Sequence, residues 1–390
     1  MVKAKEIEGL DCGAGAARGM GLVLATRLGE MCEHREAALG PEGEDGVHDM
    51  RVASRRLRSV LRDFRPYLRA GRRLEAARGE LKRLAGVLGA VRDEDVAIRA
   101  LEKLRGEAPE GVAEGLELFA VERRARREGG RAELARALER ESFDGVRARV
   151  ASAFEKATAP RRGKRRRGDA RDAGGVEDES GGRAAGDGID AGDERDAGDE
   201  RGEEGPSQRA AQGEGRVSGG EVSDGGPSFE ELGRQIIERS WDELRARGPD
   251  IYRPLKSRRL HKLRIASKRL RYALELFAAC RGEALRELAH ELARFQTALG
   301  ELHDCDGWVE ECGQYLGGRR REDESRREDA DASASRREAA FWLLGHFSTK
   351  RAEHYVEALE IWRAWERDDF GSRLAESLEG RSQKPEASSQ

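Results

Sequence analysis

Two stretches of this 390-residue chain carry basic side chains at a spacing that a helix turns into a stripe. Residues 48–64 read HDMRVASRRLRSVLRDF, and residues 261–277 read HKLRIASKRLRYALELF. At about 100° per helical residue, Arg51, Arg55, Arg58 and Arg62 fall between about −20° and −80° from His48. Met50, Ala53, Leu57, Val60, Leu61 and Phe64 fall on the opposite face, between about 120° and 220°. In the second stretch His261, Arg264, Lys268 and Arg271 make the stripe, and Leu263, Ala266, Leu270, Ala273, Leu274 and Phe277 make the apolar face. Glu275 stands where the first stretch has Arg62, and Arg56 and Arg269 flank the stripes.

A solvated helix face normally mixes charge signs at i,i+4 spacing, because like charges there cost tenths of a kcal/mol each. Here one sign runs through three turns, twice, which points to an external anion that compensates the repulsion. Basic groups at every turn over about 15 Å suit a linear polyanion better than one small phosphate. Arginine predominates, and its planar fork pairs bidentately with phosphate oxygens. His48 and His261 donate to phosphate when protonated, or else orient the start of each helix. Proteins that read nucleic acid interleave basic residues with aromatic platforms, whereas only Tyr272 lies beside these stripes. Inorganic polyphosphate, a polymer of bare phosphates, therefore fits better than DNA or RNA. A nucleic-acid- or ribosome-associated polyanion binder remains the alternative, and a phosphohydrolase the third reading.

The elements that must position these residues read as helices. Apolar residues recur at three- and four-residue spacing, strand-like alternation is absent, and Gly and Pro punctuate the periodic runs. Nine of the seventeen positions in the two stretches are identical. A second match follows in the same order, ELKRLAGVLGAVRDED at 80–95 against ELARFQTALGELHDCD at 291–306. It pairs Leu88-Gly89 with Leu299-Gly300, and Asp93 and Asp95 with Asp304 and Asp306. The chain is thus an internal duplication, with a unit too long for a solenoid repeat.

Between the copies the composition changes. Residues 168–228 hold 17 acidic and 6 basic residues and no Leu or aromatic residue, a local charge of −11 against −3 for the whole chain. The remainder therefore carries +8. Such a segment buries too little apolar surface to offset its conformational entropy. The expected organisation is a first helical half at 1–160, a disordered Gly/Asp/Glu/Arg-rich linker at 161–227, a second helical half at 228–380 and a disordered tail at 381–390. No apolar run reaches eighteen residues, and the N-terminus lacks the apolar core of a signal peptide. Five cysteines, odd in number and without a C-x-x-C, read as reduced thiols in a cytoplasmic protein.

With these motifs in place, the sequence resembles the CHAD family, the conserved histidine α-helical domain. The resemblance rests on His48 to Arg58, Leu88 to Asp95, His261 to Tyr272 and Leu299 to Asp306, with KEIEGLDCG at 5–13 similar to the family's usual opening. It implies an all-α fold of two four-helix-bundle halves related by pseudo-two-fold symmetry, with the basic helices lining a shared groove. It also implies binding of inorganic polyphosphate and association with polyphosphate granules in bacteria. Carried over residue by residue, the ligand contacts are His48, Arg51, Arg55 and Arg58 with His261, Arg264, Lys268 and Arg271; Arg56, Arg269, Arg83 and Arg294 form a second tier. The chain departs from the pattern in two places: His303 replaces the arginine present at Arg92, and the segment between the halves is unusually long.

Other constellations carry blander readings. Asp93/Asp95 and Asp304/Asp306 are expected to hold arginines through charge-assisted hydrogen bonds, or to cap helices, rather than to bind metal or move protons. His303, Cys305, Asp306 and Cys312 resemble a metal set, but the first copy has no thiols at the matching positions. No P-loop, G-x-S-x-G or nucleophile–base pair is present, so the expectation is a non-catalytic binding module with no cofactor and no metal.

Overall fold

The computed structural model describes residues 4–40, 44–159, 226–318 and 330–379. The linker expected at 161–227, apart from its last two residues, and the tail expected at 381–390 lie outside the described residues.

The first copy supplies α1 (Ala16–Glu33), the short α2 (Arg35–Leu39), α3 (Glu44–Phe64), α4 (Arg72–Arg105), α5 (Glu110–Ala137) and α6 (Arg140–Thr158). The second supplies α7 (Phe229–Arg247), α8 (Ser257–Arg281), α9 (Glu283–Leu316), α10 (Ala330–Arg367) and α11 (Phe370–Glu379). No strand occurs among the described residues beyond one isolated bridge between Gly15 and Ser228. Local sequence sets the boundaries. The Ser228 hydroxyl accepts a hydrogen bond from the Glu231 N–H at 3.1 Å and so caps α7. Gly282, at φ +93°, takes a left-handed conformation that closes α8 before α9 begins.

Within each copy the helices pack in chain order: α1 on α3, α3 on α4 and α4 on α5, then α7 on α8, α8 on α9 and α9 on α10. A fifth helix closes each four-helix half, α6 lying on α1 and α4, and α11 on α9. The main contacts between halves join α1 to α7, α3 to α8 and α5 to α10, each helix meeting its own counterpart. That pairing is what a pseudo-two-fold axis requires. The described parts of both halves form one compact unit.

Apolar burial explains why the halves join. Met50, Ala53, Leu57, Val60, Leu61 and Phe64 are all buried on α3, as are the six matching residues of α8. Phe64 and Phe277, which close the two repeated stretches, both approach Phe229, with ring centroids 6.2 and 5.1 Å away. A second apolar cluster draws on both copies, joining Leu101, Val112 and Leu116 to Cys312, Ala339 and Leu343. There α5 and α10 approach so closely that a Cβ on Gly115 would lie 2.1 Å from the Ser335 carbonyl oxygen. Glycine is required at that crossing because the obstacle is backbone, which has no rotamer to yield.

The N-terminal segment sews the halves together a third time. The Ala16 N–H donates to the Pro227 carbonyl at 3.0 Å, and the Phe229 N–H to the Ala14 carbonyl at 2.9 Å. Beside this strip Cys12 is disulfide-bonded to Cys280, with the Cα atoms 5.5 Å apart. This corrects the reading of all five cysteines as reduced thiols. The partners are 268 residues apart in sequence, so no local spacing announces the pair; only the packing of the opening segment against the end of α8 brings them together. Cys32, Cys305 and Cys312 are free thiols. Burial pushes Cys305 to about 11 and Cys312 to about 12, which keeps both protonated as free thiols. No helix among the described residues is long and apolar enough to cross a membrane.

Candidate functional site

The eight residues of the two basic stripes do not form an open solvated face. His48, Arg51, Arg55, Arg58, His261, Arg264 and Lys268 are half-buried, and Arg271 is 6% exposed. The reason is that α4 and α9 pack beside α3 and α8 and cover part of each stripe.

The duplicated Leu-Gly of α4 and α9 makes room for these cations. A Cβ on Gly89 would lie 2.7 Å from Arg51 Nη1, and one on Gly300 would lie 3.8 Å from Arg264 Nε. The arginine at one position of the repeated helix thus lies against a helical glycine in each copy. One turn on, Asp93 Oδ1 stands 3.7 Å from Arg51 Nη2. Asp95 is fully buried, and Arg127 Nη1 reaches it from α5 at 3.6 Å. In the second copy Arg351 of α10 donates through Nε to Asp306 Oδ1 at 2.5 Å and through Nη2 to the Pro254 carbonyl at 2.7 Å. Asp306 therefore hydrogen-bonds its arginine, whereas Asp93 and Asp95 stand at ion-pair distance from theirs. Arg127 and Arg351 belong to the site's frame, yet sequence reasoning missed them. The only available signal was that a buried aspartate needs a cation, and that signal does not say which cation the tertiary fold supplies.

The leading histidines face corresponding partners. Burial lowers the pKa of His48 below the ordinary 6.5, and the Arg92 and Arg55 guanidiniums push it the same way against Asp49. Burial and Arg99 likewise disfavour the charged form of Arg92, against Asp95 and Glu44. His261 packs on His303, with ring centroids 4.5 Å apart. The departure from Arg92 to His303 thus falls at the residue each leading histidine faces.

The C-terminal ends of α3 and α8 meet through their apolar faces. Phe64 and Phe277 share Phe229 there. Asp63 of α3, nearly fully buried, has its pKa raised by burial against Arg62, Arg239 and Arg269. Arg62 is engaged by Asp63 and Ser59 at 2.8 and 3.0 Å, and Arg271 by Glu275 at 3.5 Å. The Arg271 guanidinium also lies 5.0 Å from the Tyr272 ring centroid.

The second-tier residues lie elsewhere. Arg56 donates to Glu30 of α1 at 3.1 Å, and Arg269 to Glu243 of α7, so both tie their helix to the one behind it. Arg83 stands about 120° around α4 from Gly89, and Arg294 is offset in the same way from Gly300. Arg83 lines a separate cavity of about 430 Å³ with Glu80, Glu133, Arg136 and Phe143. The structure does not bring these two arginines to the stripes.

Comparison with known proteins agrees with this architecture. The crystal structure of the CHAD domain from the plant Ricinus communis matches at 18% identity, over 97% of each chain, with a TM-score of 0.60. PptA from Streptomyces chartreusis matches at 13% identity, over 90% of this chain and 100% of that one, with a TM-score of 0.55. Both likenesses concern the fold. No functionally curated protein matches the chain. The CHAD domain family itself matches residues 22–313, a span that holds both basic helices, both Leu-Gly motifs and both aspartate pairs, and the chain belongs to that family.

Proposed function

We propose that the protein is a non-catalytic module that binds inorganic polyphosphate along α3 and α8. His48, Arg51, Arg55 and Arg58 serve from one copy, and His261, Arg264, Lys268 and Arg271 from the other. Arg55 is the observation that carries this reading. It is half-buried within a stripe of one sign, its Nε is shielded from water, and it has no hydrogen-bond or ion-pair partner among the described residues. A half-buried cation without an anion is unfavourable, and a phosphate lying along the stripe removes that cost. The helical halves at 1–160 and 228–380 act on this reading as one binding unit, placed in the cytoplasm on polyphosphate granules. Cell fractionation checks the placement.

The direct test compares long-chain polyphosphate with tRNA and duplex DNA of matched charge, at about 150 mM salt because such contacts are salt-dependent. Selective binding of polyphosphate without phosphate release is the expected result. Equal binding of all three polymers would make the protein a general polyanion binder, and phosphate release would make it a hydrolase.

Two further outcomes follow from the geometry. Gly89→Ala places a methyl group against the Arg51 guanidinium while improving helix propensity by about 1 kcal/mol. Thermal stability is expected to hold or rise while polyphosphate affinity falls about tenfold, roughly the worth of one charge-assisted hydrogen bond. A variant that loses both together would assign the glycine to packing alone.

The second outcome concerns pH. His48 in the free protein has a pKa below 6.5 and is therefore mostly neutral near pH 7. A polyanion beside it favours the imidazolium and raises that pKa, so binding takes up a proton. Affinity is expected to rise as pH falls from about 8 to 6, and to stop rising below the free-state pKa. Calorimetry in two buffers of different ionisation heat measures the uptake, which His48→Gln should reduce.

A further inference from the structure

The two copies of the site differ in one corner, and the difference is electrostatic. Four residues before the leading histidine stands Glu44 in the first copy and Ser257 in the second. Three residues before the framing aspartate stands Arg92 or His303, and four residues after it Arg99 or Glu310. The frame around these positions is the same in both. Arg127 bridges Asp95 and Glu44, at 3.6 and 3.4 Å, and Arg351 bridges Asp306 and the Ser257 hydroxyl, at 2.5 and 3.5 Å.

In the first copy the corner gathers three guanidiniums, Arg92, Arg99 and Arg127, around Glu44, with Arg92 also acting on His48. The Glu44 carboxylate sits among them, with Oε2 3.4 Å from Arg99 Nη2 and Oε1 3.4 Å from Arg127 Nη1. Arg92 Nη1 is buried without a hydrogen-bond partner among the described residues. Asp95, fully buried behind, has its pKa raised by burial and then by Glu44, so one carboxylate crowds the other. In the second copy Ser257 brings no charge, and Glu310 is exposed and accepts from Gln314 at 3.1 Å.

We propose that Glu44 is a built-in competitor for phosphate. Its carboxylate holds the anion position between Arg99 and Arg127 in the free protein, and a phosphate must displace it to reach the three-arginine corner. At the His261 end the matching position is Ser257, which brings no carboxylate of its own, so the two ends of the site differ there by one charge. The polymer engages the His48 end only by expelling Glu44. This inference rests on the polyphosphate reading above and adds to it the residue that sets affinity and asymmetry.

The test uses the full-length chain with long-chain sodium polyphosphate, in four forms: wild type, Glu44→Gln, Glu44→Ser and Ser257→Glu. Glu44→Gln keeps the shape and removes the charge; Glu44→Ser copies the second corner into the first; Ser257→Glu does the reverse. Affinity is expected to rise about tenfold in both Glu44 variants and to fall about tenfold in Ser257→Glu, by analogy with a single charged hydrogen bond. The dependence of log K on log salt should steepen by about one unit in the Glu44 variants, since one more phosphate is neutralised. A change in packing alone would not move that slope. Wild-type binding that is indifferent to charge at residue 44, in variants that melt like the wild type, would overturn this inference and leave the polyphosphate reading standing. Absence of wild-type binding would overturn the reading, and this inference with it.

Discussion

A variant carrying alanine at Arg51, Arg55, Arg264 and Lys268 is expected to bind long-chain polyphosphate at least about a thousandfold more weakly than the wild type at about 150 mM salt. Each lost phosphate contact is worth about 1 to 1.5 kcal/mol, so four contacts amount to about 4–6 kcal/mol. The salt dependence should flatten by up to about four units as four charges leave the site. The fold is expected to survive. The Arg51–Asp93 pair, at 3.7 Å with Asp93 half in solvent, contributes under about 1 kcal/mol. Removing neighbouring like charges from α3 and α8 returns tenths of a kcal/mol per pair. Circular dichroism and a thermal melt establish folding, and fluorescence anisotropy with labelled polyphosphate measures binding. Unaltered binding by a folded variant would mean that the ligand follows another face, with the cavity beside Arg83 the next place to look.

Phe229→Ala is expected to produce the largest loss of stability, about 3–5 kcal/mol, which lowers the melting temperature by about 10 °C. The ring is fully buried and lies between Phe64 of the first copy and Phe277 of the second. It also lies against Gly19, where a Cβ would come within 2.3 Å of it, so α1 and α7 close around the same side chain. Truncation leaves a cavity at the joint between the halves, not within one bundle. Polyphosphate affinity should fall as well, because two stripes that no longer share a fixed geometry lose the gain of holding one polymer together. Phe229→Leu should recover most of the stability. A melting temperature unchanged by Phe229→Ala would show that the disulfide and the α5–α10 crossing hold the halves without this ring.

What the sequence determined by itself was periodic or repeated. The helices were legible because an apolar face recurs every three or four residues, and the duplication because the His-x-x-Arg and Leu-Gly motifs appear twice in the same order. The cores of α3 and α8 follow from the same angular arithmetic, since a helix puts Met50, Leu57 and Phe64 on one side whatever surrounds them. The same arithmetic puts the eight stripe residues on the opposite side.

Tertiary structure decided everything that depends on which helix lies alongside. Arg56 flanks the stripe that holds Arg51 and is just as basic, yet it is spent on Glu30 of α1 while Arg51 lies over Gly89 and faces Asp93. Arg83 is as basic as either and points to a different cavity. Arg127 and Arg351 carry no repeated motif, and they enter the site only because α5 and α10 run beside the buried aspartates. Cys12 and Cys280 pair because the opening segment crosses to the far half of the molecule. A sequence specifies the angle of a side chain about its own helix axis, through 3.6 residues per turn. The partner across the gap is chosen by packing between segments that are distant in the chain, and one-dimensional spacing carries no trace of that choice.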